Sequence, residues 1–199
     1  MGQAIDLAKR GVGLTSPNPP VGALIVSAEG RVIGSGYHRK AGTPHAEIVA
    51  IDDALQLNSR ALPGATIYIT LEPCSTHGRT PPCTQTIKDV GIRRVVFGAA
   101  DPNPAHTNKS FTVLGASGIQ VTGGVLESEC QELIKPFAKW IMTGTPWVIV
   151  KAGQSLDGRI TRPPGESPWI TSESARAHGR RLRVRSDAII IGAETLRRD

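Results

Sequence analysis

The stretch that decides the fold is "PHAEIVAIDDAL", Pro44–Leu55, followed closely by "ATIYITLEPC", Ala65–Cys74. In the first, apolar residues recur at helical spacing over Ala46–Leu55, with the first turn at His45. In the second, "ATIYITL" (Ala65–Leu71) predicts a buried strand. A helix leading into a strand sets the rhythm of the rest. Upstream, Gly2–Lys9 has helical spacing, and "TSPNPPVG" breaks it with three prolines. "ALIVS" and "RVIGSGY" flank "AEG" as a β-hairpin. Downstream, "TQTIKDVG" is a short helix capped at Gly91, "RVVFGAA" a strand, "SFTVLGASG" a helix and turn, and "IQVTGG" a strand. "ESECQELIKPFAKWIMTG" (Glu127–Gly144) reads as a helix that Pro136 should kink or interrupt. This alternation predicts a three-layer α/β domain, a mixed sheet with helices on both faces, over residues 1–144. "TGTPW" is a linker. Residues 147–199 then offer two further strands, "WVIVKAG" and the start of "DAIIIGAETL", around one helix, which is too little for a closed domain.

The 199 residues are 39% hydrophobic and 20% charged, a globular composition rather than a disordered one. No apolar run approaches the roughly 20 residues that cross a bilayer, and the N-terminus has neither a signal-peptide core nor a myristoylation motif. The expected setting is cytoplasmic, with no membrane partner. The net charge is +6, of which +4 falls in residues 147–199. A short arginine cluster there suits a small phosphorylated ligand as well as it suits nucleic acid. Three cysteines, Cys74, Cys83 and Cys130, are too few and too odd in number for a disulfide framework, so metal or catalytic use gains weight.

The chemistry concentrates at H-A-E and P-C. His45 opens one helix, Cys74 follows a strand end at Pro73, and Cys83 opens the next helix. One imidazole and two thiolates are three zinc ligands, and a catalytic zinc keeps its fourth position for water. Helix N-termini at His45 and Cys83 favour thiolate. Glu47, two residues after His45, is then free to move the water's proton. Each piece alone is weak, because an H-x-E is usually a solvated helix end and a buried cysteine usually a small hydrophobe. Together they match the His/Cys/Cys set and non-ligand glutamate of zinc nucleobase deaminases. Cys130, on an amphipathic helix, is read as a core thiol.

The two cysteines are separated by eight residues, STHGRTPP, rather than two. With "PNPPVGA", "GYHRKAGTPHAE", "LEPCSTHGRTPPC" and "DPNP", and then "KAGQSLDGRI", "GESPWIT" and "TLRRD", the chain closely resembles the bifunctional riboflavin-biosynthesis deaminase/reductase family along its whole length. The resemblance implies a cytidine-deaminase-like domain followed by the incomplete start of a dihydrofolate-reductase-like domain. It implies hydrolytic deamination of 2,5-diamino-6-(5-phosphoribosylamino)pyrimidin-4(3H)-one, with Zn2+ on His45, Cys74 and Cys83 and Glu47 as the proton shuttle. Asn18, His38, His77, Arg79, Asp101 and Asn103 match substrate-contacting positions, with His77 and Arg79 near the ribose phosphate. In the tail, Lys151, Ser167 and Arg183 match contacts to the reductase substrate, and Gly153, Trp169, Thr195 and Asp199 match positions near NADPH. Without the rest of that domain, NADPH chemistry from these residues alone is not expected.

One departure stands out. Where the family continues "DPNP" into a glycine-rich turn, this chain has "AHTNKS", Ala105–Ser110, with Asn108 and Ser110 at glycine positions. Asn tolerates φ > 0 and Ser does so less readily, so a differently shaped loop is expected. Three competing readings are a deaminase of another base, a structural zinc module that binds nucleic acid through its arginines with His77 as fourth ligand, and an inactive, partner-dependent or regulatory fragment. The long insert and the reductase-like tail argue against the first. The want of a convincing fourth ligand argues against the second. The expected partner is a small phosphoribosylaminopyrimidine rather than nucleic acid, and a homo-oligomer is compatible with the sequence.

Overall fold

The computed structural model describes residues 1–58, 61–76, 81–104, 106–163, 165–167 and 169–198. The chain divides into two compact units, Met1–Trp147 and Val148–Asp199. In the first, α1 (Gly2–Lys9) precedes a hairpin of β1 (Gly22–Val26) and β2 (Val32–Tyr37). Then come α2 (Ala46–Asn58), β3 (Thr66–Leu71), α3 (Cys83–Asp89), β4 (Arg94–Ala99), α4 (Lys109–Gly115), β5 (Gln120–Thr122) and α5 (Glu127–Thr143). The five strands form one sheet in the order β2-β1-β3-β4-β5. β1 runs antiparallel to both neighbours, while β3, β4 and β5 are parallel. This is the mixed sheet the sequence predicts.

Residues that alternate along β1 explain the layers. A side chain on Gly22 would strike the backbone of α1 at Ala4, whereas Ala23 belongs to the main core with Ile25, Ala46, Ala50 and Ile51. Helices therefore cover both faces. A second apolar cluster gathers Ile5 of α1 with Leu71, Ala99, Cys130 and Ile134. Cys130 is fully buried, and a side chain on Gly98 would collide with its sulfur, so it serves as packing, as read from the sequence. Its thiol pKa is pushed up to about 11, chiefly by burial.

β2 and α2 meet in close backbone contact. Ala46, Ala50 and Ala54 are wholly buried at four-residue spacing, one stripe on one face of the helix. Opposite them, a Cβ on Gly36 would lie 2.6 Å from both the Ala46 carbonyl oxygen and the Ala50 nitrogen. Gly34 abuts Ala50 and Ala54 in the same way. Between the two glycines, the Ser35 backbone N–H donates to Asp53 Oδ2 at 2.8 Å. Glycine against alanine thus lets backbone meet backbone, which sets where the N-terminus of α2 falls.

Two local expectations differ, the first in part. α5 is not interrupted at Pro136. Proline removes the donor that would serve the Glu132 carbonyl, but both residues are exposed, so water can take that role. In the second unit, α6 (Glu173–Val184) and α7 (Ala193–Arg198) form, but no strand is present among the described residues of 148–199. The segments expected as strands have no ladder partner, and Val150 and Ile190 are 90% and 97% exposed. A strand needs a neighbour's N–H and C=O groups as well as an apolar sequence. α6 is N-capped by a side chain: Ser172 Oγ accepts from the Ala175 N–H at 3.3 Å.

The glycine–alanine contact makes a test. Gly36→Ala should lower stability by about 1–3 kcal/mol, because the added methyl has rigid backbone on both sides. Gly115→Ala, on an exposed helix end with nothing within 4 Å, should be neutral or slightly stabilising. Thermal unfolding of the two variants separates them, and equal midpoints would show that the contact is loose.

Candidate metal centre and substrate cavity

The carboxyl ends of parallel strands β3 and β4 open onto a cavity of about 280 Å³. In open α/β sheets this is where ligands sit. His45, Ala46 and Glu47 reach it from the start of α2, Glu72 and Cys74 from the end of β3, and Asp101 and Asn103 from the loop after β4. Asn18 closes another side, and Phe137 enters from α5.

His45, Cys74 and Cys83 converge although 29 and 38 residues of sequence separate the histidine from the two cysteines. His45 Nδ1 is 3.3 Å from Cys83 Sγ and 3.7 Å from Cys74 Sγ. The Cys83 backbone N–H donates to Cys74 Sγ at 3.2 Å, as the chain turns into α3. The three donor atoms all lie within 4.8 Å of one another. Hydrogen bonding from the Cys83 thiol, then from His45, holds the Cys74 pKa down at about 4 against the opposing effect of burial. His45 is raised to about 9, first by its bond to Cys74. Cys83 is pushed upward by the adjoining Cys74 thiolate and by burial. These shifts favour a thiolate at Cys74 and a retained proton on Cys83 and His45, so a cation that binds all three has protons to displace. Two sulfurs and an imidazole are a donor set that suits zinc, and three protein ligands are the number a catalytic zinc site uses.

Glu47 is 4% exposed and lines the cavity beside this cluster. Burial, and then the Cys74 charge, raises its pKa above the usual carboxylate range. A carboxyl group so placed is suited to take up a proton and pass it on. His38 is 2% exposed and has both ring nitrogens engaged. With its Nδ1–H donating to the Pro44 carbonyl at 3.1 Å, Nε2 accepts from Asn18 Nδ2 at 3.1 Å. Burial lowers its pKa, which favours this neutral form. His38 thus orients Asn18 and packs edge-on against His45, with ring centroids 5.6 Å apart. Asp101 Oδ1 accepts from the Asn103 N–H at 2.9 Å, and burial raises the Asp101 pKa.

His77, Arg79 and Asp199 lie outside the described residues. In the second unit, Lys151, Ser167, Trp169, Arg183 and Thr195 are exposed and Gly153 is half-buried. The Arg176 guanidinium stacks 4.6 Å over the Trp169 ring, and a Cβ on Gly153 would lie 3.3 Å from Lys151 Nζ.

The expected departure in the Asp101–Ser110 loop resolves differently from the sequence reading. Asn108 takes the left-handed conformation, φ 60°, which Asn tolerates. Ser110 needs no such conformation, since it sits in the first turn of α4, fully buried. Its hydroxyl donates to Glu72 Oε1 at 2.7 Å. Sequence reasoning passed over Glu72 and His106, both of which line the cavity. A signal for Glu72 was present: a carboxylate ending an apolar strand must find partners when buried. His106, whose Nδ1 is 3.1 Å from Thr76 Oγ1, sits in a loop whose path no local pattern reveals.

Comparison with known proteins agrees with this geometry. Residues 1–99 match the cytidine and deoxycytidylate deaminase zinc-binding region, and residues 146–199 match the RibD C-terminal domain. The riboflavin biosynthesis protein RibD of Escherichia coli K12 is 45% identical over 199 residues, all of this chain and 53% of that protein. A Thermotoga maritima diaminohydroxyphosphoribosylaminopyrimidine deaminase/5-amino-6-(5-phosphoribosylamino)uracil reductase superimposes with a TM-score of 0.93 at 43% identity, covering 100% of this chain and 56% of that one. Acinetobacter baumannii RibD superimposes at 0.87 with 42% identity, covering 100% and 54%. The chain thus spans about half the length of the relatives it matches. With a zinc-binding deaminase region leading into the start of a RibD C-terminal domain, it belongs to the RibD family of riboflavin-biosynthesis proteins.

Proposed function

We propose that the first unit is a zinc-dependent aminohydrolase that deaminates 2,5-diamino-6-(5-phosphoribosylamino)pyrimidin-4(3H)-one to 5-amino-6-(5-phosphoribosylamino)uracil and ammonia. The observation that carries this reading is the convergence of His45, Cys74 and Cys83 beside a cavity that also holds the buried Glu47. Zinc held by these three residues would supply the Lewis acidity that brings the pKa of a water near neutrality. Water's oxygen replaces the amino group as C=O, and of its two protons one goes to the adjacent ring nitrogen and one to the amino group, which leaves as ammonia; Glu47 is the group placed to carry these protons. Asn18, whose Nδ2 is held by His38, offers its Oδ1 as acceptor to the base. Asp101 and Asn103 form the opposite wall. His77 and Arg79 are assigned to the ribose phosphate on the family resemblance, where an Arg fork suits the phosphate oxygens.

The second unit is read as the beginning of a reductase domain. There Lys151, Ser167 and Arg183 serve the reduction substrate, and Gly153, Trp169, Thr195 and Asp199 serve NADPH, once the domain is complete. Among the described residues no helix is long and apolar enough to cross a membrane, which fits the proposed cytoplasmic setting. The small-molecule cavity accounts for the partner without nucleic acid, and a homo-oligomer is compatible with this arrangement.

Three outcomes follow. The 199-residue chain given the phosphoribosyl diaminopyrimidinone should release ammonia without oxidising NADPH, because the apolar segments around Val150 and Ile190 build no core to hold a dinucleotide. NADPH turnover, or no ammonia, would contradict the respective half of this assignment. Glu47→Gln should keep stoichiometric zinc and lose activity by about 10²-fold or more. Loss of zinc from the folded variant would make Glu47 a ligand instead. Zinc added to metal-free protein at pH 7 should release about two protons per ion, from the His45 imidazolium and the Cys83 thiol. Because those protons compete with the metal, zinc should be held more weakly as pH falls. Cys74→Ser or Cys83→Ser should abolish tight binding while Cys130→Ala does not. Metal content and indicator-dye titration read both effects, and a pH-independent affinity would refute the ligand set.

A further inference from the structure

The loop from Asp101 to Ser110 carries Asp101, Asn103 and His106 to the cavity, yet it belongs to no strand. Something must hold its backbone in place. Glu72 ends β3 with its own N–H donating to the Ala99 carbonyl at 2.8 Å, so its position is tied to β4. Its side chain is 4% exposed and both oxygens are filled. Oε2 accepts from the N–H groups of Asp101 at 3.2 Å and Asn108 at 2.9 Å. Oε1 accepts from the N–H of Ser110 at 3.0 Å and from its hydroxyl at 2.7 Å. One carboxylate thus grips both ends of the loop. Every one of these partners is a donor, so the four bonds use both carboxylate oxygens as acceptors. Ser110 supplies the fourth of these bonds through a side chain that glycine would lack.

We propose that Glu72 is a positioning residue of the deamination site: by collecting the backbone N–H groups of Asp101, Asn108 and Ser110, it sets where Asp101 and Asn103 stand against the substrate. It acts on binding through the loop, and Glu47 and the His45/Cys74/Cys83 cluster keep their own supports.

The kinetic side of this proposal rests on the deaminase reading, so the test has an arm that does not. Glu72→Gln keeps the volume but replaces one acceptor oxygen by an NH2 group that faces N–H donors. Amide hydrogen exchange at Asn108 and Ser110 should speed up by about tenfold or more, the factor expected from one lost charge-assisted hydrogen bond. Zinc should stay stoichiometric. KM for the phosphoribosyl diaminopyrimidinone should rise by about the same factor while kcat changes by less than about threefold. Ser110 does not line the cavity, so Ser110→Ala should raise KM modestly in the wild-type background and add nothing in Glu72→Gln, the coupling expected of partners in one network. The milder Ser110→Ala variant also keeps the test decisive if Glu72→Gln fails to fold. Unchanged exchange in Glu72→Gln, or faster exchange with unchanged KM, overturns the proposal, as does a fall in kcat accompanied by zinc loss. A wild-type chain that releases no ammonia refutes the deaminase reading alone, and the grip on the loop is then judged by exchange.

Discussion

The contact between glycines of β2 and alanines of α2 is the constraint on which the site depends. Gly34 and Gly36 leave no side chain between strand and helix, and Ala46, Ala50 and Ala54 leave almost none on the other side. The helix is therefore seated by backbone contact, which has little freedom to slide. His45 and Glu47 stand at its first turn, so their placement follows directly from that seat. A larger residue in the interface would move the histidine away from the two cysteines, whose positions are set independently by β3 and the start of α3.

A second support is separate from the first. The parallel pair β3–β4 leads into Glu72 and Asp101, and Asp101, Asn103 and His106 beyond β4 line the cavity. The first support fixes the groups proposed to hold metal and move protons. The second fixes the wall proposed to recognise substrate. His38 joins the two sides by bonding the Pro44 carbonyl, next to His45, and the Asn18 amide across the cavity. The electrostatics divide in the same way. Around the cysteines, protons are held by groups that a cation can strip. Around Glu72 four donors face the two oxygens of one side chain. One region is therefore built to exchange its occupant, and the other to stay as it is.

Much of this was legible in the chain alone. Helical spacing placed His45 and Glu47 on a helix start, the apolar run of Ala65–Leu71 placed Cys74 beyond a strand, and the eight-residue gap to Cys83 singled out one family. Those signals are local, because periodicity and ligand type are written residue by residue. The mixed sheet with helices on both faces followed from alternation, and Cys130 was recognisable as packing from its place on an amphipathic helix. Three things were not decided locally. Pro136 sits in an unbroken helix because the carbonyl it deprives faces water. The tail's apolar segments do not become strands because a ladder needs a partner that sequence pattern cannot supply. Ser110 avoids the conformation its position suggested because a buried carboxylate 38 residues earlier accepts from it within a helical turn. Sequence by itself determined which groups exist and which elements carry them. Only the tertiary structure decided which donors meet which acceptors, because hydrogen bonds and close backbone contacts depend on distances that the chain acquires when it folds.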